Sequence, residues 1–126
     1  MLDRLFYKVI RTMNIDHYSF GQIDIGGREY DTDIIIFPDH VQDHWWRRQG
    51  HRLAEEDLDT VLSDNPQLLV IGTGYYGRMQ VPEETLATLQ AEGIETRVAK
   101  TSEAVAEFNR LQTESAHVVA ALHLTC

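Results

Sequence analysis

The sequence predicts an α/β fold: a compact single domain with a mixed, mostly parallel sheet built from βαβ units and preceded by an antiparallel hairpin. Three observations carry this. From residue 54 onward, apolar runs of strand length alternate with stretches of helical periodicity, which is the pattern of βαβ crossovers. Gly26-Gly27 sits between two extended segments, a two-residue link typical of a tight hairpin. With 126 residues, 43% of them apolar, the chain can bury one core without staples, so residues 1–126 are expected to form one domain.

The elements follow in order. Leu2, Leu5, Phe6, Val9, Ile10 and Met13 repeat at helical spacing, with Arg4, Lys8 and Arg11 on the other face, so an amphipathic helix is expected over residues 2–13. A transit peptide or membrane-surface helix has a similar pattern. This stretch, however, is short, contains Asp3 and has no serine before Ser19, and docking on the core, the hairpin or a second subunit is the simpler reading. Phe20, Ile23 and Ile25 lead into the glycine pair, and Arg28 to Tyr30 leave it. Ile34 to Phe37 is a β-branched run stopped by Pro38, as in a strand covered on both faces.

Ala54 to Leu62 reads as a helix with Leu58, Val61 and Leu62 on one side, ended by Asn65-Pro66. Leu68 to Ile71 is a buried strand. Pro82 opens the next helix, Glu83 and Glu84 occupy its first turn, and Gly93 caps its end. Ile94 to Val98 is a strand. Thr101 is placed as the N-cap of a third helix that turns Val105, Phe108 and Leu111 inward. Val118 to Leu124 closes the sheet.

Composition narrows the function classes. A formal charge of −9 disfavours nucleic acid as a partner, because phosphate backbones need clustered Lys and Arg. No apolar run reaches the length of a membrane span, no signal-peptide pattern is present, and a cytoplasmic location is the default. The single cysteine, Cys126, rules out paired-cysteine metal sites and reads as a free thiol or a packed residue. No metal is expected. His40 and His44 lack a helical context, and His117 and His123 would lie about 20 Å apart along one strand.

Gly72-Thr73-Gly74-Tyr75-Tyr76-Gly77 spells G-x-G-x-x-G directly after an apolar run, the wording of a dinucleotide fingerprint. Its context does not fit. The next helix start is Pro82, no acid follows the second strand at Val98, and the second mononucleotide half is missing. No cofactor is therefore expected. What survives is a turn at the carboxyl end of a parallel strand, where α/β sheets place ligands. Gly72, Thr73 and Gly74 could offer an anion nest with Tyr75 beside it, or serve turn geometry alone.

Two other constellations stand out. His51 could pair with Asp33 as an oriented acid–base couple, or simply be satisfied by a nearby backbone. Trp45, Trp46, Arg47, Arg48 and Arg52 form the only basic patch and could hold an anion or an acidic partner segment. The competing reading puts one tryptophan in the core and sets the arginines against Glu55 to Asp59.

The ordered series of Phe20-Gly21, the Gly26-Gly27 hairpin, Asp33-Ile34-Ile35-Ile36, Trp46 near Gly50-His51, Leu69 to Gly74, Thr101 with Ala104 and Asn109, and His123-Leu124-Thr125-Cys126 resembles a known family. It is the small-domain family of unknown function that includes the adipogenesis-associated domain protein and a mitochondrial complex I assembly factor. The resemblance covers about residues 15 to 126. It implies a compact α/β domain with a mixed sheet and a hairpin elaboration, and it implies no enzymatic activity. The expected function is thus a non-enzymatic interaction or assembly factor, with a protein partner or a second copy. The alternative is a small-ligand or anion-binding domain, possibly an enzyme, built on the Gly72–Gly77 loop.

Overall fold

Runs of apolar residues that bury both of their faces organise this fold. The computed structural model describes residues 13–114 and 117–126, so the expected helix at residues 2–13 falls outside them apart from Met13. Two sheets form. Strands β1 (Ile15–Ser19), β2 (Gln22–Ile25) and β3 (Arg28–Tyr30) make an antiparallel three-stranded sheet in that order. Strands β4 (Ile34–Ile36), β5 (Val41–Gln42), β6 (Leu68–Thr73), β7 (Glu95–Ala99) and β8 (Val118–His123) make the mixed sheet, in the order β5-β4-β8-β6-β7. The pairs β8–β6 and β6–β7 are parallel, while β4 runs antiparallel to both β8 and β5.

Helices separate the parallel strands as predicted. A 3₁₀ turn (Glu55–Leu58) runs into α1 (Asp59–Asp64), α2 spans Glu83–Ala91, and α3 spans Thr101–Glu114. Asn65 in the left-handed conformation ends α1, and Gly93, at φ +80°, follows α2.

The two-sided burial is visible residue by residue. Ile34, Ile36, Leu68 and Val70 face one core, with Phe108 and Leu111 of α3 and Ile23 and Ile25 of the small sheet. Ile35, Leu69 and Ile71 face the opposite core, with Leu58, Val61 and Leu89. Successive strand residues point to opposite faces, so only uninterrupted apolar runs can fill both layers. The edge strand β7 is instead studded with polar residues, and Arg97 there holds Glu95 and Glu107, which blunts an open edge.

β1 carries the polar sequence Asp16-His17-Tyr18-Ser19 and was not legible as a strand. A side chain secures it. Asn109 on α3 accepts from the Ile15 N–H at 2.9 Å and donates to the Ile15 carbonyl at 2.8 Å, in the manner of a neighbouring strand. Asn109→Ala leaves the Ile15 N–H without its partner and the Ile15 carbonyl with only the Asn14 amide at 3.3 Å. Urea unfolding should then show a loss of about 1–3 kcal/mol, and an unchanged midpoint would refute this role for Asn109.

Candidate functional site

Asp33 lies between the small sheet and β4, and the β4–β8 register decides its partner. Ile34 pairs with Leu122, which sets Asp33 opposite His123 at the end of β8. Asp33 Oδ2 accepts from His123 Nδ1 at 2.7 Å and from Arg47 Nη2 at 2.7 Å, and Oδ1 accepts from the Leu124 N–H at 2.7 Å. Arg47 Nη2 also lies 3.1 Å from His123 Nδ1. A nitrogen that donates to Asp33 cannot accept as well, so the proton on Nδ1 belongs to the carboxylate bond. Arg47 is further fixed by Nε donating to the Gly50 carbonyl and by stacking over Trp45, 4.8 Å from the ring centre.

All three side chains are buried, with only 4% of the Arg47 side chain exposed. Burial alone raises the Asp33 carboxyl. Hydrogen bonds from His123, the Leu124 N–H and Arg47 outweigh that effect and hold it below the usual carboxylate value. Arg47 Nη1 and His123 Nε2 are buried without a hydrogen-bond partner among the described residues.

The expected Asp33–His51 couple therefore does not form. His51 is exposed and meets the imidazole of His123 edge-on, with ring centres 5.8 Å apart. Nothing in the local sequence marks His123 as the partner of Asp33, because its place there depends on pairing strands some ninety positions apart. The basic patch also divides. Trp45 is core and donates from Nε1 to the Asp57 carbonyl, and Arg47 belongs to the buried cluster. Trp46 is 70% exposed, while Arg48 pairs with Glu56, the acid-balancing arrangement weighed as the alternative. Arg52 reaches only a loose contact with Glu84 at 3.6 Å.

The glycine loop turns onto the segment that follows β8. The Gly74 N–H donates to Thr101 Oγ1, the Tyr75 N–H to the Thr125 carbonyl, the Gly77 N–H to the Gly74 carbonyl, and the Arg78 N–H to the Cys126 backbone oxygen. Those N–H groups are occupied within the chain. Gly74 takes φ +111°, and a Cβ there would overlap the Cys126 backbone. Thr73 is buried and donates to the Ala99 carbonyl. Thr101, expected as an N-cap, instead lies inside the first turn of α3. Its hydroxyl accepts from Gly74 and donates to the His123 carbonyl at 2.6 Å.

The loop's aromatic residues face outward. Phe20, Tyr75 and Tyr76 are 50%, 46% and 58% exposed and contact one another, with ring centres 5.0 to 6.2 Å apart. Tyr18 beneath them donates its hydroxyl to the Leu124 carbonyl, and burial pushes its pKa up to about 12. Elsewhere, His117 is bonded to Asp64 and His40 stacks on Phe37. Among the described residues no three His, Cys, Asp or Glu side chains converge as metal ligands, and no helix is long and apolar enough to cross a membrane.

A small antiparallel sheet laid on a mixed five-stranded sheet, with a buried Asp–His–Arg knot between them, defines a compact α/β domain. Residues 15–123 match the family described as protein of unknown function (DUF498/DUF598), and the chain belongs to that family. It includes the adipogenesis-associated and complex I assembly proteins. Solved structures agree. A conserved hypothetical protein from Pyrococcus horikoshii is 28% identical, covering 90% of this chain and 100% of its own, with a TM-score of 0.75. A protein described as an outer membrane protein from Bartonella henselae is 28% identical, covering 93% and 98%, with a TM-score of 0.77. A Mth938-like domain from Bordetella pertussis, 21% identical over 92% and 87% with a TM-score of 0.71, shares the fold.

Two expectations follow. Because its folded pKa is depressed, Asp33 stabilises the protein above the unfolded value of about 3.9, and that stability is lost as pH falls through the folded value. Asp33→Asn should lower the unfolding free energy by about 3 kcal/mol at pH 7, and the gap to the parent protein should narrow below about pH 4. A gap as wide at pH 3 as at pH 7 would contradict the assignment. Gly27 also has positive φ, but a Cβ there meets nothing within 4 Å. Gly27→Ala should thus cost about 1 kcal/mol and Gly74→Ala about 3 kcal/mol or more. Equal losses in chemical denaturation would show that the packing against Cys126 is unimportant.

Proposed function

We propose that this protein is a non-enzymatic interaction domain that docks a protein partner on its exposed aromatic cluster. The observation that carries this reading is the contact of Phe20, Tyr75 and Tyr76, each about half exposed, at the junction of the two sheets. Such rings are costly to leave in water together, and aromatic residues and arginine are the side chains that anchor interfaces. Arg78 extends the patch, with its guanidinium 5.9 Å from the Tyr76 ring centre.

The presentation is rigid. The Leu124 carbonyl accepts from the Gly21 N–H and the Thr125 carbonyl from the Tyr75 N–H, so one short segment holds both halves of the cluster. The chain's −9 charge favours a partner with basic residues around an apolar anchor. Trp46 and Arg48, the solvent-facing remainder of the expected basic patch, are available for a secondary contact. The alternative of an anion held by the Gly72–Gly77 loop has weaker support, because the loop's N–H groups at 74, 75, 77 and 78 already have partners.

Photo-crosslinking from position 76 in cells, followed by pull-down, tests this. The doubly substituted Phe20→Ser, Tyr75→Ser protein should lose the crosslinked partner while its melting temperature stays within about 2–4 °C of the parent. Retention of that partner by the folded double variant, or crosslinks solely to a second copy of this chain, would overturn the reading.

A further inference from the structure

We infer that the cleft between residues 49–52 and 78–80 binds a small phosphomonoester. This inference does not rest on the docking reading, although the cleft borders that surface at Tyr76 and Arg78. The cleft has a volume of about 590 Å³ and is lined by Gln49, His51, Arg52, Arg78 and Gln80. Every one of these side chains offers a nitrogen for hydrogen bonding, and no carboxylate lines the cleft. In a chain with 20 acids and 11 Lys and Arg, such a concentration of donors is exceptional.

The walls are held in place by the backbone rather than by the donors themselves. The Gln80 N–H donates to the His51 carbonyl at 2.8 Å, and the Leu53 N–H donates to the Gln80 carbonyl at 2.9 Å. On the same strip, the Arg52 N–H donates to the Gln49 carbonyl and the Arg78 N–H to Cys126. The side chains are thus presented from two segments already joined, which reduces the ordering cost of binding.

Neither guanidinium of the cleft holds a close carboxylate. Arg47, Arg48, Arg97 and Arg110 each hold a carboxylate at 3.0 Å or closer. Arg52 has only the exposed Glu84 at 3.6 Å, and Arg78 has no carboxylate within 4 Å among the described residues. Beneath the wall, His51 packs on His123, and the Asp33 charge there is already matched by Arg47, so the layer below does not repel an anion.

Two planar guanidiniums beside an imidazole and two amides suit a tetrahedral dianion better than a single carboxylate. The cleft is open to solvent and larger than phosphate alone needs, which leaves room for an organic group. Arg78 also lies over Tyr76, which places an aromatic surface at the edge for the organic part of the molecule. The glycine loop, with its N–H groups engaged, would not be the phosphate cradle.

The test is a two-dimensional ¹H–¹⁵N NMR titration of the full chain with phenyl phosphate, with inorganic phosphate, and with sodium chloride at matched ionic strength. Saturable shifts centred on residues 49–52 and 78–80 are expected with both phosphates, tighter for phenyl phosphate, and none with chloride. Arg78→Gln and Arg52→Gln should each weaken phenyl phosphate at least tenfold. Arg48→Gln, whose side chain pairs with Glu56 and does not line the cleft, should bind as the parent does. Arg78 is exposed, so its substitution leaves the fold intact, as the dispersion of the same spectra would report. Shifts that do not saturate, that centre elsewhere, or that weaken as much in Arg48→Gln as in Arg78→Gln would overturn the assignment.

Discussion

One buried carboxylate ties this molecule together. Asp33 accepts hydrogen bonds from the end of β8, from Arg47 in the loop after β5, and from the Leu124 backbone. Arg47 and the consecutive residues His123 and Leu124 are remote from one another in sequence, and the last two lie some ninety positions from Asp33. A carboxylate removed from water is expensive unless every lone pair is matched, and here cation, imidazole and backbone N–H supply that match. The same bonds fix the starting point of the segment 124–126, which the rest of the surface then uses.

That segment works as a shared rail. Its backbone oxygens receive Gly21 and Tyr75, and the Tyr18 hydroxyl, from the small sheet and the glycine loop, and Cys126 receives Arg78. Gly74 of the loop therefore serves a close backbone approach to Thr125 and Cys126. Both exposed features, the aromatic cluster and the cleft beside Arg78, owe their shape to this arrangement. The buried Asp33 knot and the solvent-facing surfaces are thus one construction, in which polar groups spent inside orient the groups left outside.

The extent of legibility follows from the range of each interaction. Ile34 to Ile36 and Leu68 to Ile71 were readable because a strand buried on both faces leaves an unbroken apolar run. β1 was not, since its stability comes from Asn109 and from pairing with β2, and its own residues are mostly polar. Thr101 starts α3 as expected but does not cap it, because a hydroxyl that serves Gly74 and His123 looks identical in sequence to one that serves its own helix. Arg47 and Arg48 are neighbours in sequence with opposite fates, one buried on Asp33 and one in water on Glu56. Composition cannot separate them.

The sequence by itself determined the family, the α/β class and the alternation of strands and helices after residue 54, all of which rest on local periodicity, turn chemistry and ordered motifs. Tertiary structure alone decided that His123 rather than His51 meets Asp33, that the glycine loop clasps residues 125–126, and that Arg52 and Arg78 share a cleft. Those outcomes depend on strand order and register, and a displacement of β4 against β8 by one residue would have taken Asp33 away from its place opposite His123.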